Sequence, residues 1–190
     1  MRKLALLALA ASTAVATPAL ADVTGTVDIT GSVADKCVVL PGSGSTFGTT
    51  VALGELAQAD GTMRTDLASS FSTIGGSALS TRVVCTTPNP TIAITATPLA
   101  TAAPAATGYD NSIDYQADVH VVTVGGSADF SSDSAGGAFA ATTIGDRLAN
   151  NGGDNITISA SNFRTNNATD LLVASPTYTG QIVVVIAPGA

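Results

Sequence analysis

Val23-Thr24-Gly25-Thr26-Val27-Asp28-Ile29-Thr30-Gly31-Ser32-Val33 sets small or apolar residues against polar ones at every step. Side chains of an extended chain point to opposite faces in turn, so a strict period of two predicts a strand with one apolar and one polar face. The stretch is about twice as long as an ordinary strand of five or six residues. It therefore reads as two functional pieces end to end.

Upstream, Met1 to Ala21 runs basic at Arg2 and Lys3, apolar from Leu4 to Ala11, then small, closing on Ala19-Leu20-Ala21 before Asp22. That order reads as a secretory signal peptide over residues 1–21, cleaved after Ala21. Ser12, Thr13 and Pro18 break the apolar run short of a bilayer span, so no membrane span is expected after cleavage. Export bears on the only two cysteines, Cys37 and Cys85. In an oxidising compartment an isolated pair reads most simply as a disulfide. The competing metal or redox reading lacks a CxxC, and His120 as sole histidine leaves too few soft ligands for zinc.

Downstream come short apolar runs at Val38 to Leu40, Val51 to Leu53, Arg82 to Cys85, Thr91 to Ala96, Ile113 to Val124, Asn155 to Ala160 and Thr177 to Ile186. Pro41-Gly42, Gly75-Gly76, Pro88-Asn89-Pro90, Gly125-Gly126 and Gly152-Gly153 punctuate them as turns or loops. Many short β-rich segments at such spacing predict an all-β sandwich or barrel. Residues 100–108 and 127–141, rich in Ala/Thr/Pro and Ser/Gly/Ala, read as long hairpin loops or irregular edge strands. The best helical signal is Ile144 to Asn150, enough for one turn. The 190 residues fit one domain, and 45% hydrophobic content with 11% charge suits a folded core of small side chains, not disorder. Fourteen acidic residues against seven basic ones, two of those in the leader, exclude nucleic acid as a natural partner.

The string Gly25-Thr26-Val27-Asp28-Ile29-Thr30-Gly31-Ser32-Val33-Ala34-Asp35-Lys36-Cys37 resembles the N-terminal region of chaperone–usher pilins, where an alternating extension runs into a first strand carrying a cysteine. Val51-Ala52-Leu53-Gly54-Glu55-Leu56 is similar to that family's short apolar segment after the cysteine. Arg82-Val83-Val84-Cys85 is similar to its second strand, and Tyr178, Gly180, Ile182, Val184 and Ile186 to its alternating last strand. The common pattern has an aromatic beside the C-terminus; Ala187-Pro188-Gly189-Ala190 stands here instead, and with the Ala/Gly/Thr-rich composition looks more like the spore-coat-U-type branch.

The resemblance implies an all-β, immunoglobulin-like sandwich that lacks its final strand and carries an N-terminal donor strand. Residues 22–33 would be the extension and 34–190 the pilin-like domain. Val23, Gly25, Val27 and Ile29 would form the donated face, with small Gly25 over a shallow part of the acceptor groove; Tyr178, Gly180, Ile182, Val184 and Ile186 would border that groove. A periplasmic chaperone would fill it first, and the next subunit's extension would replace the chaperone at an outer-membrane usher. The product is a homopolymeric fibre at the cell surface, serving adhesion or biofilm, with no cofactor and no catalysis. A different class of function fits the same residues: a secreted β-sandwich binding domain that completes its own sheet with its N-terminal strand.

Enzymatic readings have less to build on. His120 lies on the polar parity of Ile113-to-Val121, facing solvent, and no Gly-x-Ser-x-Gly elbow accompanies it. Asp110, Asp114 and Asp118 belong to the polar face of a strand, and Asp129 and Asp133 to a solvated loop without EF-hand spacing. An acidic pair for glycoside hydrolysis ranks last, since a chain without Trp is a poor sugar platform. Asn155-Ile156-Thr157 and Asn167-Ala168-Thr169 match the glycosylation sequon, a frequent chance match.

Overall fold

A computed structural model describes residues 26–40 and 48–189. The expected signal peptide and the predicted donor residues Val23 and Gly25 lie outside them. The chain divides into an N-terminal unit ending at Ser32 and a second unit from Val33 onward. In the first, residues 26–32 form neither helix nor strand, and Val27 and Ile29 are 85% and 93% exposed. The predicted period-two pattern is there, but a strand exists only where a ladder partner supplies hydrogen bonds.

The second unit is mostly β. Its elements are β1 (Cys37–Leu40), α1 (Leu67–Gly75), β2 (Ser80–Cys85), β3 (Thr91–Ala100), β4 (Tyr109–Asp110), β5 (Ser112–Val122), β6 (Ser127–Asp133), β7 (Phe139–Thr143), β8 (Ile156–Arg164), β9 (Leu171–Leu172) and β10 (Thr179–Ala187). Eight of the strands form one curled antiparallel sheet, a half-barrel in the order β1-β2-β8-β5-β3-β10, with β6 added to β5 and β7 to β3. β4 and β9 make a separate two-stranded parallel pair.

The core fills the inside of the curl. Along β5 every second residue, Ile113, Tyr115, Ala117, Val119 and Val121, is at most 5% exposed, as the alternation predicts, because β5 has β8 on one edge and β6 on the other. Ile92, Ile94 and Ala96 of β3 and Ile156 and Ala160 of β8 close over them. A bulge in β8 sets Arg164 opposite Asp114 and Ser161 opposite Gln116, with Asn162 at φ 51°. The extra residue changes the parity of the strand, and Phe163 thereby turns inward to stack on Tyr115 with ring centroids 5.5 Å apart.

Two predicted features take other forms, and one helix arises where none was predicted. The predicted helical turn at Ile144–Asn150 is an irregular segment: Ile144 N–H donates to Pro90 O, and Ala149 N–H to Val122 O. Backbone pairing with neighbouring strands wins over the i, i+4 spacing of Ile144 and Leu148. The helix lies instead at Leu67–Gly75, with Leu67 and Gly75 buried and Phe71 packed on the core from the same face. The Ser/Gly/Ala-rich stretch 127–141 supplies the regular strand β6, because the edge of β5 offers a seven-residue ladder that overrides weak propensity.

Asn155 supports the sheet in an unusual way. β2 pairs with β8 only at Ser80 and Thr81. Past that point the buried Asn155 side chain takes the place of a strand: its Oδ1 accepts Val83 N–H at 2.8 Å, and its Nδ2 donates to Val83 O at 2.7 Å and Ala149 O at 2.8 Å. An amide so engaged, on a residue 1% exposed, is closed to glycosylation in the folded chain.

Candidate functional site

β1 and β10 are the two ends of the curled sheet. Among the described residues β1 pairs only with β2, and β10 only with β3. Each therefore carries one free edge of main-chain donors and acceptors. Beside the free edge of β10 runs a cleft of about 780 Å³, walled by Ile182 and Val184 of β10, Tyr115 and Phe163 of the core, and Phe71 of α1. A smaller hollow of about 250 Å³ continues between Val38 and Val39 of β1 and Val184 to Ile186 of β10. Val184 lines both, so the two follow one another along β10.

β10 differs from the central strands in one respect. Ile182, Val184 and Ile186 face inward with the alternation of β5, yet all three are only half-buried, and Val183 and Val185 on the outer face are exposed. The inner face of β10 thus retains apolar surface that the other described residues do not cover.

Gly180 sits where the β3–β10 register shifts, opposite Pro98 and Leu99. A Cβ there would lie 3.0 Å from Thr97 O and 3.1 Å from the Leu99 backbone. Pro98 donates no ladder hydrogen bond, and the irregularity it leaves in β3 is tolerated because Gly180 lets the backbones approach. Tyr178 lines the cleft's rim and donates from its hydroxyl to Val173 O at 2.8 Å. Burial, with a lesser contribution from the Asp110 charge, raises its pKa. The Tyr115 hydroxyl donates to Gln181 O at 3.0 Å, and burial pushes its pKa up to about 12.

The structure therefore gathers Tyr178, Gly180, Ile182, Val184 and Ile186 along one cleft wall and joins Cys37 to Cys85 in a disulfide between directly opposite residues of β1 and β2. Val51 and Leu53 form no strand; they turn side chains into the cleft from an irregular segment. Phe71 and Phe163 were not predicted there. Phe163 was hidden by the bulge, whereas the i, i+4 pair Leu67 and Phe71 was a legible signal diluted by serines.

The polar candidates are dispersed. His120 is exposed, with Nδ1 2.6 Å from Asp129 Oδ1 across the β5–β6 ladder. Asp133 lies in β6 and not in a loop; Arg164 holds its carboxyl below the usual range through bonds of 2.7 and 2.8 Å. Asp110 is buried on β4, not on a polar strand face, and accepts Asn166 N–H at 2.8 Å and Asn166 Nδ2 at 3.1 Å. Among the described residues no three His, Cys, Asp or Glu side chains converge on one point.

No protein-family model matches this sequence, and no curated protein or solved structure is significantly similar to it.

Proposed function

We propose that the chain is a structural subunit of a surface fibre: a pilin-type, immunoglobulin-like β-sandwich lacking its final strand, which joins head to tail by lending residues 22–33 to the cleft of a neighbouring copy. The observation that carries this reading is β10, with an apolar inner face left half-buried, one ladder partner and a cleft alongside its free edge. A strand laid into such an edge gains main-chain hydrogen bonds and seats alternate side chains in the hollow. The same chain carries a segment of matching period in Val23, Gly25, Val27 and Ile29, and the exposure of Val27 and Ile29 supports their availability.

Donor and acceptor are different surfaces of one chain, so the contact is heterologous and open-ended, as a fibre requires. Before assembly, an uncovered apolar edge is an aggregation hazard. The reading therefore includes a periplasmic chaperone that occupies the cleft, an outer-membrane usher, and a final location on the cell surface in adhesion or biofilm. The fold acts through assembly, without cofactor or catalytic residue.

The test is size exclusion with light scattering on the chain from residue 22, made in a periplasm with and without a co-expressed chaperone, followed by SDS electrophoresis without boiling. SDS-resistant ladders are expected, lost on deletion of residues 22–30 and in Val184→Asp. A stable, folded monomer obtained without any chaperone would overturn the fibre reading in favour of a self-complemented secreted β-sandwich binding domain.

A further inference from the structure

The ladder between β1 and β2 does not stop at the disulfide. One pair further out, Thr86 N–H donates to Lys36 O at 2.9 Å. The reciprocal bond is not made by the Thr86 carbonyl, which accepts Arg147 Nη1 at 3.0 Å. Lys36 N–H donates instead to Thr86 Oγ1 at 2.9 Å, and that hydroxyl lies 3.1 Å from Ala34 O, to which it donates. A single side chain thus carries the line of β1 back to Ala34, where Pro88 and Pro90 prevent β2 from extending to do so.

The geometry points to Thr86 as a positioning residue that keeps residues 34–36 in line with β1 and so disfavours the return of the N-terminal segment to the cleft of its own chain. This rests on the proposed function. Every step of the path β1-β2-β8-β5-β3-β10 is antiparallel, so β1 and β10 run in opposite directions, and a strand between them parallels one and opposes the other. A segment reaching its own cleft must reverse just before β1, hence run antiparallel to β1 and parallel to β10. A segment from another copy is free of that constraint.

Parity narrows the reversals further. Cys37 and Val39 stand opposite Cys85 and Val83, on the core side of β1. Any two-residue hairpin before β1 sets even-numbered residues opposite these odd ones, so Thr24, Thr26 or Asp28 would face the core. Three-residue loops bring the apolar parity inward. Of these, loops at 32–34, 33–35 and 34–36 break the bonds that Thr86 makes, which leaves Gly31-Ser32-Val33 as the loop nearest β1 that spares them. Losing the hydroxyl reopens the others.

The experiment places the photo-crosslinker p-benzoylphenylalanine in place of Ile29 in the chain from residue 22, with Thr86, Thr86→Val or Thr86→Ser. Each is prepared from an equal mixture of ¹⁴N- and ¹⁵N-labelled protein, and crosslinks to β10 are mapped by mass spectrometry. Same-chain crosslinks carry one isotope, whereas half of the interchain crosslinks carry both, so subtracting an amount equal to the mixed product from the single-isotope product gives the share of all chains crosslinked to themselves, the same-chain fraction. Thr86→Val is expected to raise the same-chain fraction about fivefold, the effect of about one hydrogen bond, and to speed exchange of the Lys36 amide. Thr86→Ser restores both, and since Thr86 is exposed the urea midpoint of the folded body stays unchanged. An unchanged same-chain fraction in Thr86→Val, or no rescue by serine, overturns the assignment. Absence of interchain crosslinks from all three proteins would sink the fibre reading, while the same-chain fraction would still judge Thr86.

Discussion

Asn155→Ala tests whether one side chain stands in for a strand. The substitution removes the only partner that Val83 N–H and C=O have on the β8 side among the described residues, together with the donor to Ala149 O. Val83 is 2% exposed and Asn155 1% exposed, so water does not replace the lost bonds without opening the core. Each orphaned buried group costs about 1–3 kcal/mol, and partial relaxation around the smaller side chain brings the sum to about 3–5 kcal/mol. Against a total stability of about 5–15 kcal/mol that is a large fraction. With a urea slope of about 2 kcal/mol per molar, the unfolding midpoint falls by about 2 M. The assay is urea titration of the oxidised protein, followed by tyrosine fluorescence because the chain has no Trp. Asn155→Asp falls at least as far, since a carboxylate accepts from Val83 N–H but cannot donate to two carbonyls. Asn167→Ala, in an exposed loop, stays within about 0.5 kcal/mol of the parent. A midpoint for Asn155→Ala within about 0.5 M of the parent would refute the reasoning.

Three further outcomes follow from the same geometry. Gly180→Ala is expected to lose about 1–3 kcal/mol by overpacking, because the new Cβ meets backbone atoms of Thr97 and Leu99 that cannot rotate away; the same urea titration reads it. Cys37→Ser/Cys85→Ser is expected to lose about 4 kcal/mol from loop-closure entropy, the bridge spanning 48 residues, and to loosen β1 first, since β2 is its one ladder partner among the described residues; faster amide exchange at Val38 and Leu40 checks the second part. Because burial raises the Tyr115 pKa from 10.0 to about 12, its contribution to stability is complete below pH about 10 and is lost as the pH rises to about 12. The melting temperature should fall across that window in the parent and fall less in Tyr115→Phe, with the raised pKa of Tyr178 leaving part of the slope.

What was legible in the sequence follows the physics of period two. The runs at Val38–Leu40, Arg82–Cys85, Thr91–Ala96, Ile113–Val124, Asn155–Ala160 and Thr177–Ile186 all fall on strands, give or take a residue or two at their ends, because alternation and burial on one face are the same fact seen from two sides. The misses occur where backbone pairing decides and side chains do not. Ile144 and Leu148 carry a helical spacing, but their segment hydrogen-bonds to Pro90 and beside β5. Ser127–Asp133 is weak in propensity, and becomes regular because β5 has an edge to offer. Asn155 reads as a polar strand residue, and nothing local signals that its amide completes the ladder of another strand.

The candidate cleft shows the same division more sharply. Ile113 to Val121 and Ile182 to Ile186 carry the same alternation, yet the first set is sealed and the second half-open. The difference is not in either pattern. β5 is flanked by β8 and β6, whereas among the described residues β10 has β3 alone, and the number of neighbours a strand has is fixed by topology across the whole chain. The sequence therefore names the residues of the cleft wall without saying that the strand carrying them keeps an unpaired edge among the described residues. Thr86 goes one step further: a threonine beside a cysteine is unremarkable in sequence, and only the fold shows Lys36 N–H donating to its hydroxyl while its carbonyl accepts from Arg147. A reading of function by assembly thus depends on edges, and edges are what local patterns do not record.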